Sequence, residues 1–168
     1  MVGSVTLWRR ALLPAVVVSF FVIAGAAAAS EEFEVSKYGA RVGFSSNPDQ
    51  FTLGGYLQLG ELAPHLSMRP SMDVGWGDDL FSWLTNADVQ YSFEGTKAIP
   101  FVGAGLGIAY YNFDGDSAGG DDSDTSVGLN VYGGFEMDLG DYKSGYLEAR
   151  LGVDEMPDFK LTLGFGFY

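Results

Sequence analysis

The sequence predicts an all-β chain, closed into an eight-stranded antiparallel up-and-down transmembrane β-barrel, on three observations. Eight runs of about ten residues alternate apolar with polar or glycine side chains, the last being Leu161-Thr162-Leu163-Gly164-Phe165-Gly166-Phe167-Tyr168. No window carries a sustained helical period. Aromatic residues on the apolar faces of the runs gather toward the run ends. In hydrocarbon every backbone N–H and C=O must be paired within the protein, so a sheet survives there only as a closed barrel with side chains alternating between lipid and lumen.

The first twenty-nine residues read as a cleaved secretory signal peptide: Arg9 and Arg10 supply the positive start, residues 11–24 are uncharged and apolar, and Ala27-Ala28-Ala29 precedes Ser30 as a small-residue cleavage site. Two alternatives stand beside it. Residues 11–30 are just long enough to span a bilayer as an uncleaved anchor, but their final third is alanine and glycine and no stop-transfer charge follows. The paired arginines also suit a twin-arginine signal, although folded export would leave a lipid-facing barrel nowhere to hide. The expected domains are therefore 1–29 as leader and 30–168 as barrel.

Residues 30–168 number 139 and form one domain, with seven basic against twenty-two acidic side chains and a net charge of −15. Nucleic-acid binding is disfavoured, because phosphate contact calls for a basic patch. The absence of cysteine rules out disulfides and thiolate metal sites and agrees with an oxidising periplasm.

The predicted strands follow in order. Residues 35–45 set Tyr38, Ala40, Val42 and Phe44 on one face against Gly39, Arg41 and Gly43. Residues 51–60 turn Leu53, Leu57 and Leu59 outward and Thr52, Tyr56 and Gln58 inward. In 66–76, Met68, Met72, Val74 and Trp76 oppose Ser67, Arg69, Ser71 and Asp73. In 81–93, Trp83, Ala87, Val89 and Tyr91 face out while Ser82, Asn86, Asp88 and Gln90 face in. In 100–111 the outward set is Val102, Ala104, Leu106, Ile108 and Tyr110, and the inward set is Gly103, Gly105 and Gly107. In 127–139, Leu129, Val131, Phe135 and Met137 oppose Asn130, Tyr132 and Glu136. Residues 146–153 set Leu147, Ala149 and Leu151 against Glu148 and Arg150, and 159–167 turns Lys160 and Thr162 inward.

An even strand count puts both barrel termini on one side, the periplasm for a bacterial barrel. The outer connections are then 46–50, 77–80, 112–126 and 154–158, and the inner ones 61–65, 94–99 and 140–145. This registration sorts the outward aromatics into two belts. Phe44, Phe51, Trp76, Phe81, Trp83, Tyr110 and Phe159 fall at the outer ends, and Tyr38, Tyr91, Phe93, Phe165 and Phe167 at the inner ends. A soluble sandwich or barrel would alternate too, but has no reason to form belts.

The luminal face carries a charge network of Arg41, Arg69, Arg150 and Lys160 against Asp73, Asp88, Glu136 and Glu148. Eight strands enclose a space just wide enough for side chains to fill, and buried charges need partners, so these residues predict a salt-bridged plug rather than an ion path or proton relay. The inward glycines make room for Tyr56, Tyr132 and the arginines.

The leader, the glycine-rich alternating strands, the acidic outer loop and the aromatic last strand together resemble the small eight-stranded outer-membrane barrels of Gram-negative bacteria, the family of OmpA-type transmembrane domains and OmpX-like proteins. The likeness covers the chain from about Val35 onward. It implies an outer-membrane location, contact with outer-membrane lipid and lipopolysaccharide, and help from periplasmic chaperones. It also implies that Phe165, Phe167 and Tyr168 resemble the terminal signal read by the barrel assembly machinery. Two departures stand out. Tyr168 lies one residue beyond the lipid-facing phase, and Pro70 sits mid-strand with no N–H to donate, which predicts a bulge or a later strand start.

Catalytic motifs are sparse. His65-Leu66-Ser67 superficially resembles the His-x-Ser of outer-membrane lipid A deacylases, but His65 is the only histidine and the registration puts it at the periplasmic rim with Ser67 pointing inward. Asp114, Asp116, Asp121, Asp122 and Asp124 could hold a divalent cation, yet Ala118 and Thr125 break the EF-hand spacing, so the stretch reads as a solvated loop. The expectation is a non-enzymatic barrel, monomeric or weakly associated, with a structural or surface-interaction role and no cofactor, metal or catalytic residue. Its alternatives are a narrow porin-like pore, a lipid A-modifying enzyme, and a soluble periplasmic ligand-binding barrel. Deleting 165–168 is expected to abolish outer-membrane insertion, because it removes the inner aromatics of the closing strand and leaves an unpaired edge; heat-modifiable protein recovered from the outer membrane after the deletion would contradict this.

Overall fold

A computed structural model describes residues 34–77, 80–95, 97–113, 122–153 and 156–168. The proposed leader, and 114–121 of the acidic stretch, lie outside the described residues. The strands are β1 (Val35–Ser46), β2 (Gln50–Leu59), β3 (Glu61–Ala63), β4 (Leu66–Gly77), β5 (Leu80–Ser92), β6 (Ala98–Phe113), β7 (Asp122–Gly140), β8 (Lys143–Val153) and β9 (Phe159–Phe167). Each pairs antiparallel with its neighbours in the order β2-β1-β9-β8-β7-β6-β5-β4-β3, and β2 also pairs with β4, which closes the ring. Because β3 continues β2 past Gly60, the nine segments make an eight-stranded barrel.

Closure falls on the β1–β9 seam, which is in register from Tyr38↔Phe167 to Ser46↔Phe159. Both barrel termini lie at one end, the turn end, with the connections at 64–65, 93–97 and 141–142. The opposite, loop end carries the connections at 47–49, 78–79, 114–121 and 154–158. The turn at 141–142 holds φ of 50° at Asp141 and 61° at Tyr142, the left-handed pair that a two-residue hairpin uses because its twist matches that of the strands. At the other tight turn Pro64 is followed by His65 at φ 66°, a position usually given to glycine or asparagine.

Exposure alternates along the strands in the predicted phase, and the barrel is inside out relative to a soluble one. Leu106, Leu129, Leu151 and Leu163 stand on the outer wall, each more than half exposed, while Arg41, Asn86, Asp88 and Glu148 are almost completely buried. A soluble protein buries its apolar side chains; this surface is built for hydrocarbon. Around the turn end the rings pack on one another, with Tyr38 stacked on Phe167 at 5.8 Å and Phe165 edge-on to Phe167 at 5.1 Å.

Several boundaries differ from expectation. The β6–β7 hairpin runs further than predicted, with Ser126↔Ala109, Asp124↔Tyr111 and Ser123↔Asn112 paired, so the end of the expected loop 112–126 is strand. The backbone ladder continues past the apolar wall, where side-chain polarity no longer marks it. β8 begins at Lys143 rather than 146, because the positive-φ turn shortens the connection. Pro70 neither shortens β4 nor bulges it: the strand runs through, with Pro70 opposite Ala87. The slip falls on the facing strand instead. Pairing with β4 ends at Tyr56↔Ser71 and resumes at Glu61↔Ser67, so residues 57–60 span the same interval as 68–70. A residue without an N–H is met by a bulge in its partner. The slip also overturns one face assignment, since Leu59, expected on the lipid side, is buried at 4 % exposure.

Leu106→Arg puts a charge on the outer wall at mid-strand, where it costs about 2–4 kcal/mol in a bilayer. Insertion into lipid vesicles, read by heat modifiability on electrophoresis, should fall sharply, whereas Tyr142→Arg at the turn tip should insert normally.

Candidate functional site

The structure brings all eight residues of the expected charge network into the lumen: Arg41, Arg69, Asp73, Asp88, Glu136, Glu148, Arg150 and Lys160 are each 8 % exposed or less. Lys37 joins them as a ninth. It sits on β1 in the same phase as Gly39 and Arg41, so the alternation that placed Arg41 inward applies to it equally.

The charges form tiers along the barrel axis. Nearer the loop end, Asp73 of β4 accepts from Arg41 Nε at 2.7 Å and Nη2 at 2.5 Å, and from Lys160 Nζ of β9 at 2.6 Å. Arg41 Nη2 also donates to Ser71 Oγ at 2.8 Å. In the middle, Arg150 donates to Asp88 at 2.7 Å, to Asn130 Oδ1 at 2.7 Å and to Glu148 Oε1 at 3.1 Å. The second Glu148 oxygen accepts from Arg69 Nη1 at 2.9 Å, which also reaches Gln90 Oε1 at 2.8 Å. At the turn end Lys37 pairs with Glu136, which takes a further hydrogen bond from the Tyr168 hydroxyl at 2.9 Å. Burial, and next to it the Glu136 charge, pushes the Tyr168 hydroxyl up to about 12, so it stays a neutral donor at ordinary pH.

Aromatic rings fill the space between the charges. Tyr56, Phe101, Tyr132 and Tyr146 form one buried cluster. The Arg69 guanidinium lies over Tyr146 at 4.3 Å and Tyr56 at 4.5 Å, with Phe101 at 5.6 Å, and Arg150 lies over Tyr132 at 4.3 Å. Such contacts stabilise a desolvated cation that has few anions to hand. The inward glycines are the counterparts of these rings. A Cβ on Gly103 would strike the Tyr132 ring, on Gly164 the Tyr146 ring, on Gly39 the Phe165 carbonyl oxygen and the Tyr56 ring, and on Gly166 the Tyr56 hydroxyl.

An apolar cap lies toward the loop end, where Leu84, Ala109, Tyr111 and Met156 cluster with Leu80 against them. Met156 and Pro157, in the connection between β8 and β9, are buried, while Asp158 beside them is exposed. Alternation could have revealed Phe101, Tyr111 and Tyr146, which share the phase of their inward neighbours. Nothing in the sequence of a loop marks Met156 as buried.

The remaining candidate residues stay apart from this network. His65 is exposed and edge-on to Tyr91 at 6.1 Å, while Ser67 is buried and accepts from Gln58 Nε2 at 3.1 Å. Phe165 and Phe167 lie on the outer wall, and Tyr168 turns away from that phase, its backbone N–H donating to the Tyr142 carbonyl at 3.0 Å. No group of three or more histidine, aspartate or glutamate side chains suited to a metal ion occurs among the described residues.

No protein-family profile matches the chain, and no curated protein matches it. Among solved structures it is similar to Neisserial surface protein A, with a TM-score of 0.58 at 17% identity over 78% of this chain and 94% of that one. It is equally similar to the N-terminal β-barrel domain of Pseudomonas aeruginosa OprF, with a TM-score of 0.57 at 19% identity over 79% of this chain and 97% of that one. The fold is that of the small eight-stranded outer-membrane barrels. A de novo designed transmembrane β-barrel matches as well, with a TM-score of 0.53 at 12% identity over 82% of this chain and 96% of that one. At these identities the likeness is one of fold.

Arg150→Ala removes the group that holds both Asp88 and Glu148 and leaves Asp88 without its cation. The loss should be about 3–5 kcal/mol of unfolding free energy, measured by urea titration in detergent. Lys37→Ala, at the lumen mouth where water can reach Glu136, should cost clearly less.

Proposed function

We propose that the protein is a non-enzymatic outer-membrane barrel whose lumen is closed by its own side chains and whose role is structural or surface-interactive. One observation carries this reading: buried charged and aromatic side chains occupy the lumen at the turn end, in the middle and toward the loop end. The Lys37–Glu136–Tyr168 group stands at the turn end, the arginine tiers and tyrosines fill the middle, and the Met156 cap lies toward the loop end. An outer-membrane location is supported by the apolar wall, by the aromatic belts and by the fold-level likeness to outer-membrane proteins. In this reading 1–29 is the cleaved leader, Phe165, Phe167 and Tyr168 serve assembly, and the partners are lipid, lipopolysaccharide, periplasmic chaperones and the assembly machinery. The barrel acts as a monomer.

His65 and Ser67 line one notch with Glu61, but Ser67 Oγ accepts from Gln58 Nε2 and, among the described residues, no hydrogen bond joins His65 to Ser67 or to Glu61, so the relay a serine nucleophile needs is not assembled, which supports the non-enzymatic reading. The pore is the second reading, favoured by the polar lumen and its unpartnered hydroxyls at Tyr56, Tyr132 and Tyr146. Planar-bilayer recording separates the two. The monodisperse protein is expected to give no steady conductance, and reproducible long-lived openings would replace the plugged barrel with the pore.

A further inference from the structure

A cavity of about 220 Å³ lies at the turn end, where the slip between β2, β3 and β4 interrupts the ladder around Gly60. Backbone groups that lose their ladder partners cannot be left in hydrocarbon, so this notch must sit in the wet headgroup layer. The rings beside it mark the same depth: Tyr91 is edge-on to Phe93 at 5.0 Å and to His65 at 6.1 Å, in the manner of an interfacial aromatic belt.

The lining is rich in acceptors. It includes Glu61, Ser67 and Ser92, and among the described residues neither lysine nor arginine lines it. Ser67 already accepts from Gln58 Nε2 at 3.1 Å and Ser92 Oγ from Gln90 Nε2 at 3.3 Å, which fixes both hydroxyls in place. His65 stands at the rim in a left-handed conformation, φ 66°, and its carbonyl is tied to the Ser92 N–H at 2.9 Å. Histidine is among the residue types enriched at positive φ, and the turn sets its ring at the rim beside Tyr91.

We propose that this notch binds the primary ammonium of a phospholipid headgroup of the ethanolamine type, with Glu61 as counter-ion and the serine hydroxyls and His65 imidazole as further acceptors. The proposal rests on the membrane-barrel reading above. An ammonium bears three N–H donors, which suits a carboxylate flanked by hydroxyls. A quaternary choline has no donors to offer them, and an anionic glycerol headgroup brings no cation to Glu61.

The test uses the full-length protein purified in detergent and offered equimolar phosphatidylethanolamine, phosphatidylcholine and phosphatidylglycerol of identical acyl chains, with bound lipid counted by native mass spectrometry. Phosphatidylethanolamine should be retained about tenfold over the other two, the preference one charge-assisted hydrogen bond supplies. Glu61→Gln should bring the three to parity while the barrel stays heat-modifiable, and His65→Gly should narrow the preference while relieving the turn. Equal retention by the unmutated protein, a preference for phosphatidylglycerol, or a preference that survives Glu61→Gln would each overturn the site. Loss of heat modifiability in the unmutated protein would overturn the barrel reading itself, and this inference with it.

Discussion

Backbone pairing across the β1–β9 seam is the constraint on which the rest of the structure depends. Until Tyr38 meets Phe167 and Ser46 meets Phe159, two strand edges stand open, and an open edge has no tolerable state in hydrocarbon. Closing the ring at eight strands then fixes its bore, which is just wide enough for side chains to fill. The polar lumen follows from that geometry. Every inward position must be filled, and because the lipid side already takes the apolar residues of the alternation, much of what is left to fill it is polar or charged.

Filling a narrow bore with arginines and tyrosines needs room on the facing wall, and glycine supplies it. Gly103 faces Tyr132, Gly164 faces Tyr146, and Gly39 and Gly166 flank Tyr56, so each large ring lies against bare backbone of another strand. The rings in turn support the cations. Arg69 has one carboxylate, Glu148, which it shares with Arg150, and two of its nitrogens, Nε and Nη2, find no hydrogen-bond acceptor. Its guanidinium is instead held between the Tyr56 and Tyr146 faces. Replacing such a network with apolar side chains often leaves stability unchanged or raises it, whereas deleting one member is costly, so the network acts as a mutually dependent set.

Alternation in the sequence was enough to assign strand count, faces and the eight charged lumen residues, because period two has a direct geometric meaning in a sheet. Lys37 and Tyr146 were legible in principle, since each shares the inward phase of its strand, Lys37 with Arg41 and Tyr146 with Glu148. What else alternation left out has physical causes. The turn-end slip moved Leu59 from the wall to the interior because one extra residue reverses the faces for as long as the register is shifted. The β6–β7 hairpin ran past its expected end because backbone pairing does not require an apolar face. Pair identities were hidden too, since Asp73 takes its two cations from β1 and β9, and only the closed ring brings β4 opposite them.

The same register logic explains why the break beside Pro70 falls where it does. Pro70 cannot donate, so its strand must meet a disturbance in one neighbour; it keeps full register with Ala87 of β5 and shifts the cost to β2. Had the slip fallen in the middle of the wall, unpaired backbone groups would face lipid tails. It lies instead within a few residues of the turn at 64–65, where Gly60 and the exposed β3 leave the hydrocarbon layer. A proline that would weaken a central strand is thereby accommodated beside the aqueous boundary, and the disturbance it creates leaves a polar notch at the turn-end rim.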